Sequence, residues 1–217
     1  MKRNEFNLFE RIIHRINHRV FIPLLAKTRR KKLNNLDFTI ISNNCWGGVV
    51  YEYFGLEKKS PTIGAYFYAD DYIRFIKDIK KYTTTPMVMI KPTESKHFLD
   101  LQEKKQLDIP IGKIEDVEIY FLHYKDPLVV KEKWERRCER INYKNLIVKF
   151  SFMGDCTDEM IEEFDKLDFK KKVLFVTKEY KNINYAVVIP PSDGRQITND
   201  TFYFNKYINL YKVLNNE

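Results

Sequence analysis

Residues 38–48 constrain the fold of this chain more than any other segment. Their sequence is FTIISNNCWGG, in which an apolar, β-branched run is followed by polar residues, a thiol and two glycines. An apolar helical pattern begins immediately afterwards, so the segment predicts a strand, a turn and a helix in succession. In open α/β sheets, ligands bind at the carboxyl ends of the strands. The turn over 42–48 is therefore the first place to expect binding or chemistry.

Strand-like and helix-like patterns alternate along the rest of the chain. The predicted strands are 37–42, 86–91, 116–123, 145–151, 172–178 and 184–190, and the predicted helices are 47–54, 70–82, 95–105, 129–141, 157–167 and 202–214. This alternation predicts an α/β protein with a layered α/β/α fold and a mixed, mostly parallel sheet. An antiparallel hairpin is the alternative for the last two strands, because only a short polar connection separates them.

The charge of the chain divides it into two parts. Of the 38 Lys and Arg residues, ten lie in residues 1–36, which hold two of the 30 acidic residues. Residues 37–217 therefore carry 28 of each sign and are neutral overall. We predict a basic arm over 1–36 and a single α/β domain over 37–217. Two βα subdomains, 37–125 and 126–217, are the alternative.

The basic arm contains an amphipathic helical pattern. Apolar residues recur at spacings of three and four over 4–20, and the arginines fall mainly off that stripe. One alternative is that the arm lies on an anionic membrane surface, where each Lys or Arg contributes about 1 kcal/mol. The other is that its apolar stripe packs on the domain. Nucleic acid is not an expected partner, because the neutral domain offers no basic groove or aromatic stacking platform.

Cysteine content and hydropathy predict a cytoplasmic location. Cys45, Cys138 and Cys156 are an odd number of cysteines without a CxxC pair, which suits a reducing compartment. No stretch approaches the ~20 apolar residues that a membrane-spanning helix needs. Association with the inner face of the membrane through residues 1–36 stays open, and the sequence does not fix the oligomeric state.

Three predicted strands end in groups that can carry chemistry. The first strand leads to Cys45, the strand over 116–123 ends at His123, and the strand over 145–151 leads to Asp155. If the three strands are parallel, these side chains lie at one edge of the sheet and converge on a crevice. Cys45 also precedes a predicted helix, and a helix N-terminus lowers the pKa of a thiol and stabilises anions.

One chemical interpretation of this group is nucleophilic catalysis. Cys45 would be the nucleophile and His123 its base, with Asn43 or Asp155 orienting the imidazole. No metal site is predicted, since Cys45, His123 and Cys156 contain no closely spaced ligand pair. The sequence predicts no cofactor either.

A second interpretation is the binding of an anionic substrate. The backbone amides around Gly47 and Gly48 would hold a phosphate or carboxylate, and Asn43 and Asn44 would bind hydroxyl groups. The alternative to both interpretations is structural, because Cys is among the most buried residue types and strand ends need Asn and Gly for turns.

A cationic stripe is predicted on the helix over 129–141. Arg137 and Arg140 lie beside an apolar face that contains Trp134 and Cys138. Arginine side chains can bind phosphate with two hydrogen bonds at once, so we predict that these two arginines bind an anion. The alternative is a solvated face with ion pairs between residues four apart.

Several motifs in order along the chain resemble an uncharacterised bacterial family. The resemblance covers residues 37–190 and depends on Ser42-Asn43-Asn44-Cys45-Trp46-Gly47-Gly48, Ser60-Pro61-Thr62, Asp71-Tyr72-Ile73, His123-Tyr124, Trp134-x-x-Arg137-x-x-Arg140-Ile141-Asn142 and Asn145. The family is a domain of unknown function whose members are labelled exopolysaccharide biosynthesis proteins, because they occur in capsule and surface-glycan loci.

The resemblance implies a setting in surface-glycan assembly, with an anionic nucleotide-sugar, glycan or lipid-phosphate substrate. It transfers no catalytic residues. Our leading expectation is a glycan-modifying transferase in which His123 acts as acid or base beside Cys45, Asp155 orients it, and Arg137 and Arg140 hold phosphate. The alternatives are a Cys–His hydrolase or acyltransferase, and a non-catalytic scaffold at the membrane.

Overall fold

A computed structural model describes residues 20–190, 196–198 and 200–215 of the chain. The amphipathic helix predicted over 4–20 falls almost entirely outside these residues. The described part forms eight helices, α1 Ile22–Arg30, α2 Trp46–Phe54, α3 Ala69–Lys77, α4 Ile79–Thr84, α5 Phe98–Glu103, α6 Pro127–Cys138, α7 Asp158–Lys166 and α8 Leu210–Asn215. Its seven strands are β1 Thr39–Ser42, β2 Val88–Ile90, β3 Ile111–Ile114, β4 Val117–Tyr120, β5 Leu146–Ser151, β6 Lys172–Val176 and β7 Ala186–Val188.

The strands form two sheets. The larger has the order β1-β5-β6-β7 and is parallel throughout. The smaller is antiparallel, with the order β2-β3-β4. The predicted α/β class with a mostly parallel sheet is confirmed. The hairpin alternative for the last two strands is wrong, because β7 pairs with β6 in the parallel direction.

Both faces of the parallel sheet are buried, which is why its strands read as continuous apolar runs. Neighbouring residues of β1 belong to different cores, since Ile40 lies in the core that contains Phe175 and Ile41 lies in the core that contains Phe150. Side chains of neighbouring residues in a strand point to opposite faces. The sheet therefore lies between two packed layers and holds the ends of β1 and β5 in a fixed position.

The structure differs from the prediction in three elements. Strand β3 has no counterpart in the prediction, because the β3–β4 turn contains Glu115 with a φ of +53° in place of a glycine. The predicted helix over 70–82 divides at Asp78, whose backbone is not helical and whose side chain accepts a hydrogen bond from Lys81 N. Of the helix predicted over 202–214, only α8 forms.

The described end of the basic arm packs on the domain. Ile22 and Ala26 of α1 are buried, and a Cβ atom at Gly55 would lie 3.0 Å from Ala26 Cβ. Arg29 stacks on the ring of Tyr53 at 4.0 Å, and Arg30 Nη1 donates to Gly55 O at 2.7 Å. The boundary at residue 36 and the two-subdomain alternative stay predictions. None of the helices described in residues 20–215 combines the length and hydropathy needed to cross a membrane.

Candidate functional site

The structure brings Cys45 and His123 into contact. His123 Nε2 lies 3.2 Å from Cys45 Sγ, although 78 residues separate them in the sequence. His123 is exposed, and Cys45 is partly exposed. A neutral imidazole can accept the thiol proton at this distance, which is the geometry that a nucleophile and its general base require. We call these two residues the thiol–imidazole pair.

The two residues meet by a route other than the one predicted. The strand that leads to His123 is β4, which belongs to the antiparallel sheet and not to the sheet of β1 and β5. The segment after α2 connects the two sheets, because Tyr66 and Tyr120 exchange backbone hydrogen bonds of 2.8 and 2.9 Å. The expectation of three parallel strands meeting at one sheet edge is therefore wrong, while the meeting of Cys45 with His123 is observed.

Cys45 occupies the N-cap position of α2, and burial controls its pKa. Burial raises the pKa of the Cys45 thiol to about 11, and the nearby Asp200 carboxylate adds to the rise. The Lys149 ammonium and a backbone hydrogen bond from Gly64 favour the thiolate, so they oppose this rise in pKa. The pKa lowering that its helix N-terminus predicted is therefore outweighed by desolvation. At neutral pH the thiol keeps its proton and can donate it to the imidazole.

Gly64 shapes the wall of this site. Its φ is +77°, and a Cβ atom there would lie 2.8 Å from Tyr124 Cε2. Only glycine combines this left-handed backbone with such a close approach at little cost. Gly64 thereby brings its amide to Cys45 and lets the ring of Tyr124, the residue after His123, pack closely against it.

Asn43 has a structural role in the fold. It is 1% exposed, and its side chain donates to Ser151 O at 3.1 Å and accepts from Ser151 N at 3.1 Å. Its own backbone carbonyl accepts from Phe67 N at 3.0 Å. The amide side chain thus continues the β1–β5 pairing by one residue, and the backbone of Asn43 joins this pairing to the segment before α3. Both polar atoms of the side chain are used in hydrogen bonds within the chain.

Asn44 belongs to a buried polar network. Its Oδ1 accepts from Trp46 N at 3.1 Å and from Lys149 Nζ at 2.9 Å, while its Nδ2 donates to both carboxylate oxygens of Asp200 at 3.0 and 2.9 Å. Lys149 Nζ also donates to Asp200 at 2.5 Å, and neither of these two side chains is more than 1% exposed. Asn44 therefore connects a buried ion pair to the first turn of α2.

Lys149 and Asp200 were not among the predicted site residues. Burial lowers the pKa of Lys149, although Asp200 opposes the shift. Burial alone would raise the pKa of Asp200, but Lys149 and hydrogen bonds from Asn44 and Ser151 bring it below the usual 3.8. Each of the two groups therefore favours the charged form of the other. One signal was available, because a lysine interrupts the otherwise apolar run Leu-Ile-Val-Lys-Phe of β5.

Asp155 lies at the start of another helix. Its Oδ1 accepts from Ala69 N at 2.9 Å, so it satisfies the first amide of α3. This contact links the β5–α7 loop to α3. The orienting role predicted for Asp155 toward His123 stays a prediction, and the hydrogen bond to Ala69 supplies a structural reason for the carboxylate.

Gly47 and Gly48 let α2 approach its neighbours. A Cβ atom at Gly47 would lie 3.0 Å from Ile40 Cγ2, and one at Gly48 would lie 3.3 Å from Ile63 Cγ2. Both glycines are buried in the first turn of α2. Their amides are among those that a helix leaves without intrahelical acceptors, so the predicted anion-binding role stays open beside the packing role.

The two predicted phosphate-binding arginines have partners within the chain. Arg137 Nη1 donates to Ile63 O at 2.9 Å and to Tyr124 OH at 3.3 Å. Arg140 Nη1 forms an ion pair of 2.8 Å with Glu57. Arg137 thus supports the segment that carries Gly64, and phosphate binding by either arginine stays a prediction.

Comparison with known proteins identifies the family. Residues 16–216 match the family model described as "Domain of unknown function (DUF1919)". The chain belongs to this family. A relative in Haemophilus influenzae (strain ATCC 51907 / DSM 11121 / KW20 / Rd), an "Uncharacterized protein", is 29% identical over 199 residues, which cover 92% of this chain and 90% of the relative. The predicted membership of a family of unknown function is confirmed at this level.

The other two cysteines of this DUF1919 member differ from Cys45 in their surroundings. Burial raises the pKa values of Cys138 and Cys156 to about 12. Cys138 packs against the main core, and Cys156 Sγ is 3.6 Å from Thr157 O. Among the histidines that the structure describes, His123 is bonded to Cys45 and His97 is not bonded to any cysteine. Cys45 is therefore the thiol best placed for chemistry.

Proposed function

We propose that this DUF1919 protein is an enzyme of bacterial surface-glycan assembly that transfers or hydrolyses acyl groups with Cys45 as nucleophile and His123 as general base. The observation that carries the proposal is the distance of 3.2 Å between Cys45 Sγ and His123 Nε2. An acylated glycan, or the donor that acylates it, is the substrate class. The glycan setting is supported by the sequence motifs that resemble exopolysaccharide biosynthesis proteins.

The protonated thiol determines the form of the reaction. Because burial holds the pKa of Cys45 at about 11, attack requires removal of the proton during the step itself. Cys45 Sγ forms a bond to the acyl carbon while its proton passes to His123 Nε2. The bond from the acyl carbon to the leaving oxygen then breaks, and Nε2 returns the proton to that oxygen. Water or a sugar hydroxyl subsequently attacks the thioester, with the same imidazole as base.

Two features of the site stabilise negative charge that develops at Cys45 as its proton leaves. Gly64 donates a backbone hydrogen bond at Cys45, and α2 starts at Trp46, so its dipole is positive at the thiol. Nucleotide-sugar or lipid-phosphate binding by Arg137 and Arg140 stays a prediction, since both arginines form contacts within the chain.

The test is acylation by p-nitrophenyl acetate. We expect a burst of p-nitrophenolate and an acetyl group on Cys45, found by mass spectrometry of the intact chain. Cys45→Ala should abolish the burst, and His123→Phe should slow it by about a hundredfold or more, the usual contribution of a general base. The matched control is the double variant Cys138→Ser, Cys156→Ser, which should acylate at the rate of the unchanged chain.

An acetyl group that appears equally on all three cysteines, or an unchanged rate in His123→Phe, would overturn the acyl-transfer proposal. The glycan setting has a separate test. In the bacterium that carries this gene, deletion should alter the acyl content of the surface glycan. The intact gene should restore the content, and the Cys45→Ala gene should not.

A second observation favours attachment to a membrane, and we propose that the protein works at its inner face. Four apolar side chains at the start of α1 are exposed, with Val20 at 52%, Phe21 at 50%, Leu24 at 71% and Leu25 at 43%. Exposed lysines 27, 31 and 32 follow them. A face that combines apolar and basic side chains suits the boundary of an anionic bilayer.

Flotation with vesicles of phosphatidylglycerol and phosphatidylethanolamine tests this attachment. Leu24→Glu should reduce the floating fraction, because it places a carboxylate among the apolar side chains. Leu128→Glu is the matched control, since Leu128 is 77% exposed on a different helix and its replacement should change nothing. Equal flotation of the two variants would overturn the attachment through α1.

A further inference from the structure

We propose that Asp70, Asp71 and His97 bind a divalent transition-metal ion, at a site that shares no residue with the thiol–imidazole pair. Asp70 and Asp71 lie in the first turn of α3, and His97 precedes α5. One ligand atom of each residue lies within 4.8 Å of the others. A nitrogen and two carboxylate oxygens form a donor set that Zn²⁺, Mn²⁺ and Fe²⁺ accept.

Two buried atoms at this site lack a hydrogen-bond partner. Asp71 Oδ2 and His97 Nε2 are the side-chain atoms of the described residues that are fully buried without one. Asp71 is 0% exposed, and an unsatisfied charged oxygen at such a position is costly. The two atoms face each other at 3.5 Å, and a metal ion between them would satisfy both.

The distances fit a shared ion. His97 Nε2 lies 3.5 Å from Asp71 Oδ2 and 3.9 Å from Asp70 Oδ1. Ligands at about 2.0–2.2 Å from a tetrahedral ion are roughly 3.4 Å apart. The two separations from His97 therefore need only a small contraction, and the two carboxylate oxygens lie within 4.8 Å of each other. Three protein ligands also leave at least one coordination position for water or a substrate, as in catalytic sites.

The remaining oxygens of the two carboxylates are held by neighbouring cations. Lys96 Nζ lies 2.7 Å from Asp71 Oδ1 and 3.2 Å from Asp70 Oδ2, and Arg74 Nη2 lies 2.7 Å from Asp70 Oδ2. These contacts fix the carboxylates with their other oxygens toward His97. They also offset part of the negative charge that Asp70 and Asp71 bring to the site.

The histidine is oriented by its surroundings. Its ring stacks on Tyr68 with centroids 3.6 Å apart and planes 5° from parallel. Its backbone amide donates to Ser95 Oγ at 3.0 Å, and Ser95 Oγ donates to the buried Glu118 at 2.8 Å. Such supporting contacts are typical around metal ligands, where they fix the direction of the coordinating nitrogen.

The test uses Co²⁺ as the probe on the untagged full chain. His14 and His18 are four residues apart, a spacing that can itself bind metal on a helix, so both are replaced by alanine in every sample. We expect visible d–d bands that saturate at one equivalent, without the sulfur-to-cobalt band of a thiolate ligand. Zn²⁺ should displace the Co²⁺ and remove the bands.

His97→Phe keeps the ring that stacks on Tyr68 and removes the ligand nitrogen, so binding should weaken by at least about tenfold. His123→Phe is the matched control and should bind Co²⁺ as before. Asp70→Asn provides a second ligand variant at a partly exposed position, and circular dichroism verifies that each variant is folded. Unchanged binding in folded His97→Phe, a thiolate band that disappears in His123→Phe, or no binding at one equivalent would each overturn the proposal.

Discussion

The buried ion pair between Lys149 and Asp200 gives the sharpest test of how this fold is held together. The perturbation is a double-mutant cycle with Lys149→Met and Asp200→Asn. Methionine fills the space of the aliphatic stem beside the rings of Trp46 and Phe175, which lie 6.0 and 5.3 Å from Lys149 Nζ. Asparagine keeps an oxygen that can accept a hydrogen bond from Ser151 Oγ, which lies 2.7 Å from Asp200 Oδ2 in the unchanged chain.

Each single replacement leaves one charge buried without its counter-ion. Both side chains are at most 1% exposed, so water cannot screen the remaining charge. Breaking such a pair costs about 3–5 kcal/mol, a large part of the roughly 5–15 kcal/mol that stabilises a domain. For a chain of this size the melting temperature would fall by about 6–20 °C. The double variant removes both charges and should recover most of this loss.

Urea unfolding followed by circular dichroism measures the four free energies of unfolding. A coupling energy of at least about 2 kcal/mol is expected between the two positions. Additive effects, or single variants that each lose less than about 1 kcal/mol, would refute the interpretation that the pair is charged and buried.

The decrease of the free energy of unfolding at acidic pH gives a second check. The pKa of Asp200 is depressed in the folded state, so its contribution is complete above pH 3.8 and is lost as pH falls below that value.

Three further predictions concern Gly64, Asp155 and Cys45. Gly64→Ala should destabilise the chain by at least about 1 kcal/mol in urea unfolding, because φ is +77° and the new Cβ would meet Tyr124; a loss below a few tenths would contradict this geometry. Asp155→Ala should cost about 1 kcal/mol through the lost bond to Ala69 N, with the acylation rate of Cys45 unchanged; a slower rate would instead support the predicted orienting role. Alkylation of Cys45 by iodoacetamide should rise about tenfold per pH unit from pH 7 to 10, since its pKa is about 11; a plateau near pH 9 would show that burial does not raise it.

The parallel sheet could be predicted from the sequence because its strands are buried on both faces. Runs such as those at β1 and β5 are short and contain β-branched residues, which favours a buried strand over a helix. The antiparallel sheet was harder to predict. Its β3–β4 turn uses Glu115 in a left-handed conformation, and strand β3 has Gly112 and Lys113 in a run of four residues. Turn signals based on Gly, Asn and Asp do not identify such a hairpin.

The candidate site was predictable in part. The turn after β1 and the thiol–imidazole pair were identified from strand ends, although the geometric reason for their meeting was wrong. The buried ion pair was missed because Asp200 follows no recognisable strand or helix. The Asp70–Asp71–His97 cluster was missed because long-range folding brings His97 to a carboxylate pair that the sequence presents as an ordinary helix start. A single sequence carries no signal for contacts of that kind.

The ion pair and the thiol are coupled, and this coupling connects stability with the proposed reaction. Asp200 raises the pKa of Cys45 and Lys149 lowers it, so the two effects partly cancel and burial dominates. Removing one partner should therefore shift the reactivity of Cys45 in a direction set by the charge that remains. Lys149→Met leaves the carboxylate and should slow alkylation at pH 8, whereas Asp200→Asn leaves the ammonium and should speed it. The double variant should lie between them. A general loss of structure would move both single variants the same way, so opposite shifts in folded protein would separate an electrostatic effect on the thiol from mere destabilisation.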